Sequence, residues 1–218
     1  MERIKMKNIA IYGFGGLGRE VACVINKINE VEQKWNLIGY FDDGEPVGKE
    51  CKYGKVLGNI DTLNAWSAPL DVIIGIGTPK YIELVSSKIT NPMVSFPNII
   101  APGVFFFDED SLTIGKGNLI TFGCRFSCNV TIGDFNVLDG MISMGHDASI
   151  GNYNALFPET RISGQTTIGN KNFFGARSFI AQDLKIGDNT RFAAGAVVLR
   201  KTKDGFLYMG NPAKRIEI

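Results

Sequence analysis

From Ile114 to Val198 every sixth residue is apolar: Ile114, Ile120, Phe126, Ile132, Leu138, Met144, Ile150, Leu156, Ile162, Ile168, Phe174, Ile180, Ile186, Phe192 and Val198. Roughly 45% of residues in ordinary proteins are apolar, so such a run in one fixed phase has a chance probability on the order of one in a hundred thousand. Neither the 3.6-residue period of a helix nor the two-residue alternation of a strand generates it. A solenoid with short flat faces does, each repeat burying one side chain before turning a corner. Three repeats make one triangular coil of eighteen residues, so positions eighteen apart stack. The residue after each stop is often small, as in the Ile-Gly pairs starting at 114, 132, 150, 168 and 186. Glycines there predict tight corners with unusual dihedrals.

The chain ahead of the repeats follows a different rule. Lys7 to Tyr12 reads as a buried parallel strand. Gly13-Phe14-Gly15-Gly16-Leu17-Gly18 follows and fits G-x-G-x-x-G, then an amphipathic helix over 17–28 and a second strand over 36–41, ending at Asp42-Asp43. Strand, glycine turn, helix, strand and acid form the layout of a nucleotide-binding unit. The glycines admit a phosphate to backbone N–H groups at a helix N-terminus, and the acids can accept hydrogen bonds from a ribose or base. Glycines that serve only close strand–helix packing are the competing reading. Further strands are expected over 71–76 and 93–96, with a helix over 78–88. Gly77-Thr78 ends a strand beside the glycine turn and is a second candidate ligand contact. Four strands fall short of the six of a dinucleotide domain, so a half-Rossmann unit and a mononucleotide handle are expected.

Pro97, Pro102 and Gly103 punctuate a junction, which divides the chain into an α/β domain (1–97) and an all-β parallel β-helix with its tail (98–218). Phe105-Phe106-Phe107 is expected to cover the open end of the solenoid, where bare strand edges need protection.

With 218 residues, 44% of them apolar, the chain can bury two cores, and a net charge of +1 without a long basic run gives no reason to expect nucleic acid or an acidic membrane as partner. No apolar segment approaches the length of a membrane span. The start, MERIKMKNIAIYGFGG, lacks a small-residue cleavage site and reads as a first strand and not a signal peptide. Cys23, Cys51, Cys124 and Cys128 have no metal spacing with histidine partners, and they read as reduced thiols, with no metal implied.

His146 is the only histidine. It lies two residues beyond a ladder position, near a corner, with Cys128 one coil below and Gly164 one coil above. Gly164 leaves space over the imidazole and a backbone N–H within reach. A base beside a donor is what acyl transfer from a thioester needs: one takes a proton from the attacking amine or hydroxyl, the other holds the developing oxyanion. A free histidine titrates near 6.5 and is largely neutral at pH 7. A surface or packing histidine is the bland alternative, and from chemistry alone the two stay balanced.

The six-residue ladder resembles the hexapeptide-repeat acyltransferases, which fold as left-handed parallel β-helices. Gly145-His146-Asp147-Ala148-Ser149-Ile150-Gly151, the later Ile162-Ser163-Gly164-Gln165-Thr166-Thr167-Ile168-Gly169 and the closing Gly210-Asn211-Pro212-Ala213-Lys214 resemble one branch of them. That branch is the sugar O-acyltransferase family of sialic acid O-acetyltransferase type, which includes N-acetyltransferases of nucleotide-linked amino sugars used in polysaccharide biosynthesis. The resemblance implies acetyl-CoA as co-substrate, His146 as general base and Asp147 as the residue that orients it. Strand alternation, by itself, would aim Asp147 away from the ring. The resemblance also implies acetyl-CoA contacts at Gly164, at Ala176 and Ala194 on corners above, and at Lys214. It implies a nucleotide-sugar site at Gly13, Gly15, Gly16, Asp42, Asp43, Gly77 and Thr78. Two positions depart from relatives that carry extra histidines, Ala155 and Ala101-Pro102, so His146 would act alone.

The expected activity is therefore acetyl transfer to the amine of a nucleotide-linked amino sugar. The alternatives are O-acetylation of a sugar hydroxyl and a non-enzymatic scaffold. A zinc hydratase on the same fold would need about three histidines; a nicotinamide oxidoreductase would rest on Gly13 to Gly18 alone. The resemblance implies a cytoplasmic homotrimer with active sites between subunits, for which cyclic packing of a triangular prism is a natural arrangement.

Overall fold

The computed structural model describes residues 6–217. The first five residues of the segment read against a signal peptide lie outside that range. No helix among the described residues is long and apolar enough to cross a membrane.

The N-terminal unit is a three-layer α/β structure. Strands β1 (Lys7–Tyr12), β2 (Trp35–Phe41), β3 (Glu50–Cys51), β4 (Gly54–Gly58), β5 (Leu70–Ile74) and β6 (Val94–Ser95) form one sheet in the order β3-β4-β2-β1-β5-β6. All neighbours are parallel except the hairpin β3–β4. Helices α1 (Gly16–Val31), α2 (Ile60–Asn64) and α3 (Pro79–Lys88) connect them. The sheet thus has six strands where four were expected. Of the two extra ones, β3 has two residues and β4 begins and ends in glycine with only Val56 and Leu57 apolar between, so no apolar run announced them. The order reverses between β1 and β5, and in open parallel sheets ligands bind outside the strand ends at such a switch point.

Phe96 to Asn98 link this sheet to the solenoid, whose first rung is Ile99–Ile100. Two-residue strands stack in parallel on three faces. The first face runs through Leu119–Ile120, Val137–Leu138 and Ala155–Leu156, the second through Arg125–Phe126, Ser143–Met144 and Arg161–Ile162, the third through Thr131–Ile132, Ser149–Ile150 and Thr167–Ile168. Register is eighteen residues throughout these coils. Of the fifteen ladder residues, Ile114 is half-buried and the rest are buried.

A second interior position, two residues before each ladder residue from Ile120 onward, is also buried. On one corner it forms a column of amides. Asn118 Oδ1 accepts the Asn136 N–H (2.8 Å), Asn136 Oδ1 the Asn154 N–H (2.9 Å), Asn154 Oδ1 the Asn172 N–H (2.9 Å) and Asn172 Oδ1 the Thr190 N–H (2.8 Å). Each asparagine satisfies a corner N–H that the strand ladders leave over, as a buried backbone donor requires.

Two expectations about the solenoid are corrected. The left-handed backbone positions lie three residues past each stop, not one, and mostly hold non-glycine residues: Asn129, Phe135, Met141, Asp147, Tyr153, Glu159 and Gln165 all have φ between 54° and 65°. The glycines after the stops are there for lack of room. A Cβ on Gly133 would meet the Gly151 carbonyl oxygen at 2.6 Å, and one on Gly151 would meet that of Gly169 at 2.8 Å. Phe105 to Phe107 do not cap the helix. Phe105–Phe106 is itself the first rung of the second face, with Phe106 stacked on Phe126 at 5.2 Å, while Phe105 and Phe107 are exposed. The first coil holds two extra residues between this rung and Thr113–Ile114, which hid it from a strict six-residue count. At the other end a hairpin, Leu207–Met209 with Lys214–Ile216, covers the last coil, and Tyr208 packs on Phe192.

The α/β unit sits on the first face. Outward-pointing Ile99, Leu119, Val137 and Ala155 are buried in the same core as Ile9, Val21 and Ile25. At the same level on the other faces the equivalent outward positions are Arg125, Ser143 and Arg161, or Thr131, Ser149 and Thr167, none of them buried.

Candidate functional site

His146 stands on the corner between the second and third faces, with Cys128, Gly164 and Gln182 in the neighbouring coils of the same corner. Coil-to-coil hydrogen bonds hold this corner. The Asp147 N–H donates to the Cys128 carbonyl (3.0 Å), and the Gln165 N–H donates to the His146 carbonyl (2.8 Å). The imidazole lies across Gly164: a Cβ there would be 2.8 Å from Nε2 and 3.0 Å from Cε1. Any side chain at 164 would therefore displace the ring. The Gly164 N–H has no hydrogen-bond partner among the described residues.

Asp147 does reach the ring. Its φ of +57° breaks strand alternation and swings the carboxylate back, so that Oδ2 lies 2.7 Å from His146 Nδ1. Asp147 Oδ1 accepts a hydrogen bond from Asn129 Nδ2 (2.9 Å), one coil below. These two hydrogen bonds, that of His146 first, hold the Asp147 carboxyl below the usual carboxylate range. An ionised Asp147 keeps the proton on Nδ1 and leaves the Nε2 lone pair free beside Gly164. Both side chains are about half exposed, at 49% and 46%, so a substrate has access. Asn129 was missed in the sequence, although it stands eighteen residues before Asp147.

Ala176 and Ala194 do not lie above His146. They are thirty and forty-eight residues away, not multiples of eighteen, and stand on the corner between the first and second faces with Phe122, Gly140 and Pro158. Lys214 is exposed on the closing hairpin, where the Ala213 N–H docks on the Val197 carbonyl (2.8 Å).

The glycine turn divides its glycines between two tasks. Gly13 has φ +114°, and a Cβ would lie 2.9 Å from the Gly75 oxygen; one on Gly18 would overlap the Gly13 carbonyl. These two bring strand and helix together. Gly15, the N-cap of α1, and Gly16 face open space, so a ligand can approach the helix N-terminus there. Asp42 Oδ2 accepts the Phe14 N–H (2.8 Å) and Oδ1 the Gly44 N–H (2.8 Å). Asp43 Oδ1 accepts from Tyr12 Oη (2.7 Å) and the Ile60 N–H (2.9 Å). Burial and Asp43 push the Tyr12 hydroxyl well above its ordinary pKa, so it remains a donor. Both acids thus brace the turn and keep lone pairs for a ligand. Gly77 packs 3.1 Å, by its Cβ direction, from the Phe157 ring of the solenoid, and Thr78 is the N-cap of α3.

The glycine turn and His146 are not brought together in one chain. The first belongs to the unit seated on the first face, and the second stands on the edge opposite that face.

Comparison with known proteins bears on both halves. Residues 8–89 match the PglD N-terminal domain family. The acetyltransferase domain of PglB from Neisseria gonorrhoeae, solved with acetyl coenzyme A, superposes with a TM-score of 0.87 at 22% identity, over 97% of this chain and 100% of that one. WeeI from Acinetobacter baumannii gives 0.86 at 25% identity over 97% and 100%. PerB from Caulobacter crescentus, in complex with CoA and GDP-perosamine, gives 0.82 at 22% over 99% of both chains. No curated protein matches the chain. The shared fold is a Rossmann-like unit followed by a left-handed parallel β-helix.

Proposed function

We propose that the protein is an acetyl-CoA-dependent N-acetyltransferase acting on the amine of a nucleotide-linked amino sugar. The observation that carries this reading is the corner at His146, where Asp147 at 2.7 Å fixes one ring nitrogen and bare Gly164 faces the other. Nε2 takes a proton from the amine as nitrogen attacks the thioester carbonyl. The unpaired Gly164 N–H donates to the oxyanion. The tetrahedral intermediate expels the CoA thiolate, which recovers the proton from the imidazolium. The steps use no acyl-enzyme and no metal ligand. Gly15 and Gly16 receive the nucleotide's phosphate, Asp42 and Asp43 accept hydrogen bonds from its ribose or base, and Gly77 and Thr78 lie beside it. Lys214, Ala176 and Ala194 contact acetyl-CoA from their own corners. The complexes of PglB with acetyl coenzyme A and of PerB with CoA and GDP-perosamine support the two substrates.

The glycine turn and His146 face opposite ways, so a complete site needs a second copy whose first-face unit meets the His146 edge. Cyclic C3 packing supplies this three times, and we take the working form as a cytoplasmic homotrimer. The test is acetyl-CoA turnover against amino sugars linked to UDP, dTDP or GDP, with hydroxyl analogues beside them. Transfer to an amine supports the reading. Transfer to the hydroxyl analogue alone would replace it with O-acetylation, and no turnover would leave a scaffold. Light scattering that showed a monomer would remove the proposed inter-subunit site.

A further inference from the structure

A groove of about 420 Å³ lies between the start of α3 and the upper coils, lined in part by Thr78, Lys80, Glu83, Lys171, Phe173 and Arg191. Its charge is uneven. Three cations face one carboxylate, an excess of two positive charges in a chain whose net charge is +1. Like charges gathered in one groove repel unless an anion offsets them, and a groove focuses their field.

Two of the three cations are held in place. Arg191 lies over the Phe173 ring, 5.9 Å from its centre, and Lys171 is tethered to Glu83 at 3.1 Å. Arg191 and Lys80 form no ion pair among the described residues. Arg191 also breaks the pattern of its face. The outward residues below it, Leu119, Val137, Ala155 and Phe173, are apolar and serve the contact with the α/β unit. The change to arginine comes where that cover gives way to the groove. Thr78, at the groove's mouth, makes no side-chain cap to α3, so its hydroxyl is free to donate. Its neighbour Gly77 packs against Leu17 of α1, next to the glycine turn. Thr78 of the groove is thus joined in sequence to a residue that packs on the helix opened by the glycine turn.

We propose that this groove binds a phosphate-class anion, with Arg191, Lys80 and Thr78 as donors and Lys171, paired with Glu83, as a third cation on its wall. The anion is either the diphosphate of a nucleotide seated on the glycine turn or a free phosphate species. The proposal stands whether or not the chain transfers acetyl groups, because it is read by binding.

The experiment is calorimetric titration of the full chain at low salt with inorganic pyrophosphate and, separately, with UDP. The double variant Lys80→Gln/Arg191→Gln is compared with wild type, and thermal melting confirms that it folds. Pyrophosphate is expected to bind wild type and to bind the double variant at least about tenfold more weakly, with steep weakening by salt. Lys80→Arg is expected to retain binding. A parallel loss of UDP affinity assigns the groove to the nucleotide's diphosphate; unchanged UDP affinity assigns it to a free anion. Wild type that fails to bind pyrophosphate, or a double variant that binds it as wild type does, overturns the proposal. His146→Ala is expected to leave these titrations unchanged, so failure of the acetyl-transfer reading would show elsewhere.

Discussion

Glycine does opposite work in the two halves of the chain. In the α/β unit Gly13 adopts a dihedral that side chains resist, and Gly15 and Gly16 open onto empty space. In the solenoid the glycines after the ladder have ordinary backbone but no room; Gly115, Gly133, Gly151 and Gly169 each face the carbonyl of the coil above. The left-handed corners three residues past the stops hold glycine at Gly117, Gly123 and Gly195 but otherwise side-chain-bearing residues, from Asn129 and Phe135 to Lys171 and Arg177. A glycine in a local turn is therefore about conformation and access, whereas a glycine in a stack is about its neighbour eighteen residues on. Gly164 combines the second kind with chemistry, because its neighbour is the imidazole.

Changes at these positions can break or sharpen that contrast. Asn136→Ala is expected to have the largest effect on stability. It leaves the buried Asn154 N–H and amide without their acceptor, at a cost of about 2–3 kcal/mol. Chemical denaturation followed by circular dichroism measures it, and a loss below about 0.5 kcal/mol would show that the amide column is dispensable. Gly18→Ala is expected to cost about 1–3 kcal/mol, because its Cβ would overlap the Gly13 carbonyl. Gly15→Ala should leave stability within about 1 kcal/mol while weakening nucleotide binding. Equal destabilisation by the two would erase the distinction between packing and access glycines. Gly164→Ala should lower turnover by about tenfold or more with melting nearly unchanged, since the added methyl meets only the movable ring. Unchanged turnover would separate the glycine from the chemistry.

The smallest expected effect concerns pH. Asp147 is held below the usual carboxylate range by His146 and Asn129. A depressed carboxyl adds stability above its unfolded pKa of about 3.9, and that stability is lost as pH falls through the lower folded value. Carbon-detected NMR should place the Asp147 midpoint below the usual carboxylate range, and Asn129→Ala should move it upward. A midpoint that does not move would remove Asn129 from the site.

Much of this was legible because the solenoid is periodic. Fifteen apolar stops gave the coil, and the eighteen-residue stack put Gly164 over His146. What the count could not see depended on other physics. The asparagine column is buried yet polar, so an apolar search passes it by. Phe105–Phe106 lies two residues out of phase, beyond an insertion in the first coil. Ala176 and Ala194, expected on corners above, stand on the corner between the first and second faces, because they are not multiples of eighteen from His146. Strand alternation alone would aim Asp147 away from the ring that the resemblance assigns it to orient, and that alternation fails at a left-handed corner. On the α/β side the glycine turn and its acids are local and readable. The β3–β4 hairpin lacks an apolar run and is not. The docking face had a signal in the apolar outward residues Leu119, Val137 and Ala155, set against Arg125, Ser143 and Arg161 or Thr131, Ser149 and Thr167 on the other faces.

The most direct test of the central claim is the turnover of His146→Ala with acetyl-CoA and a nucleotide-linked amino sugar, measured beside its melting curve. Because the imidazole is half exposed on a corner, the fold should survive, and the rate should fall by about 10²–10⁴-fold, the usual contribution of a general base. A folded variant that acetylates at the wild-type rate would contradict the account.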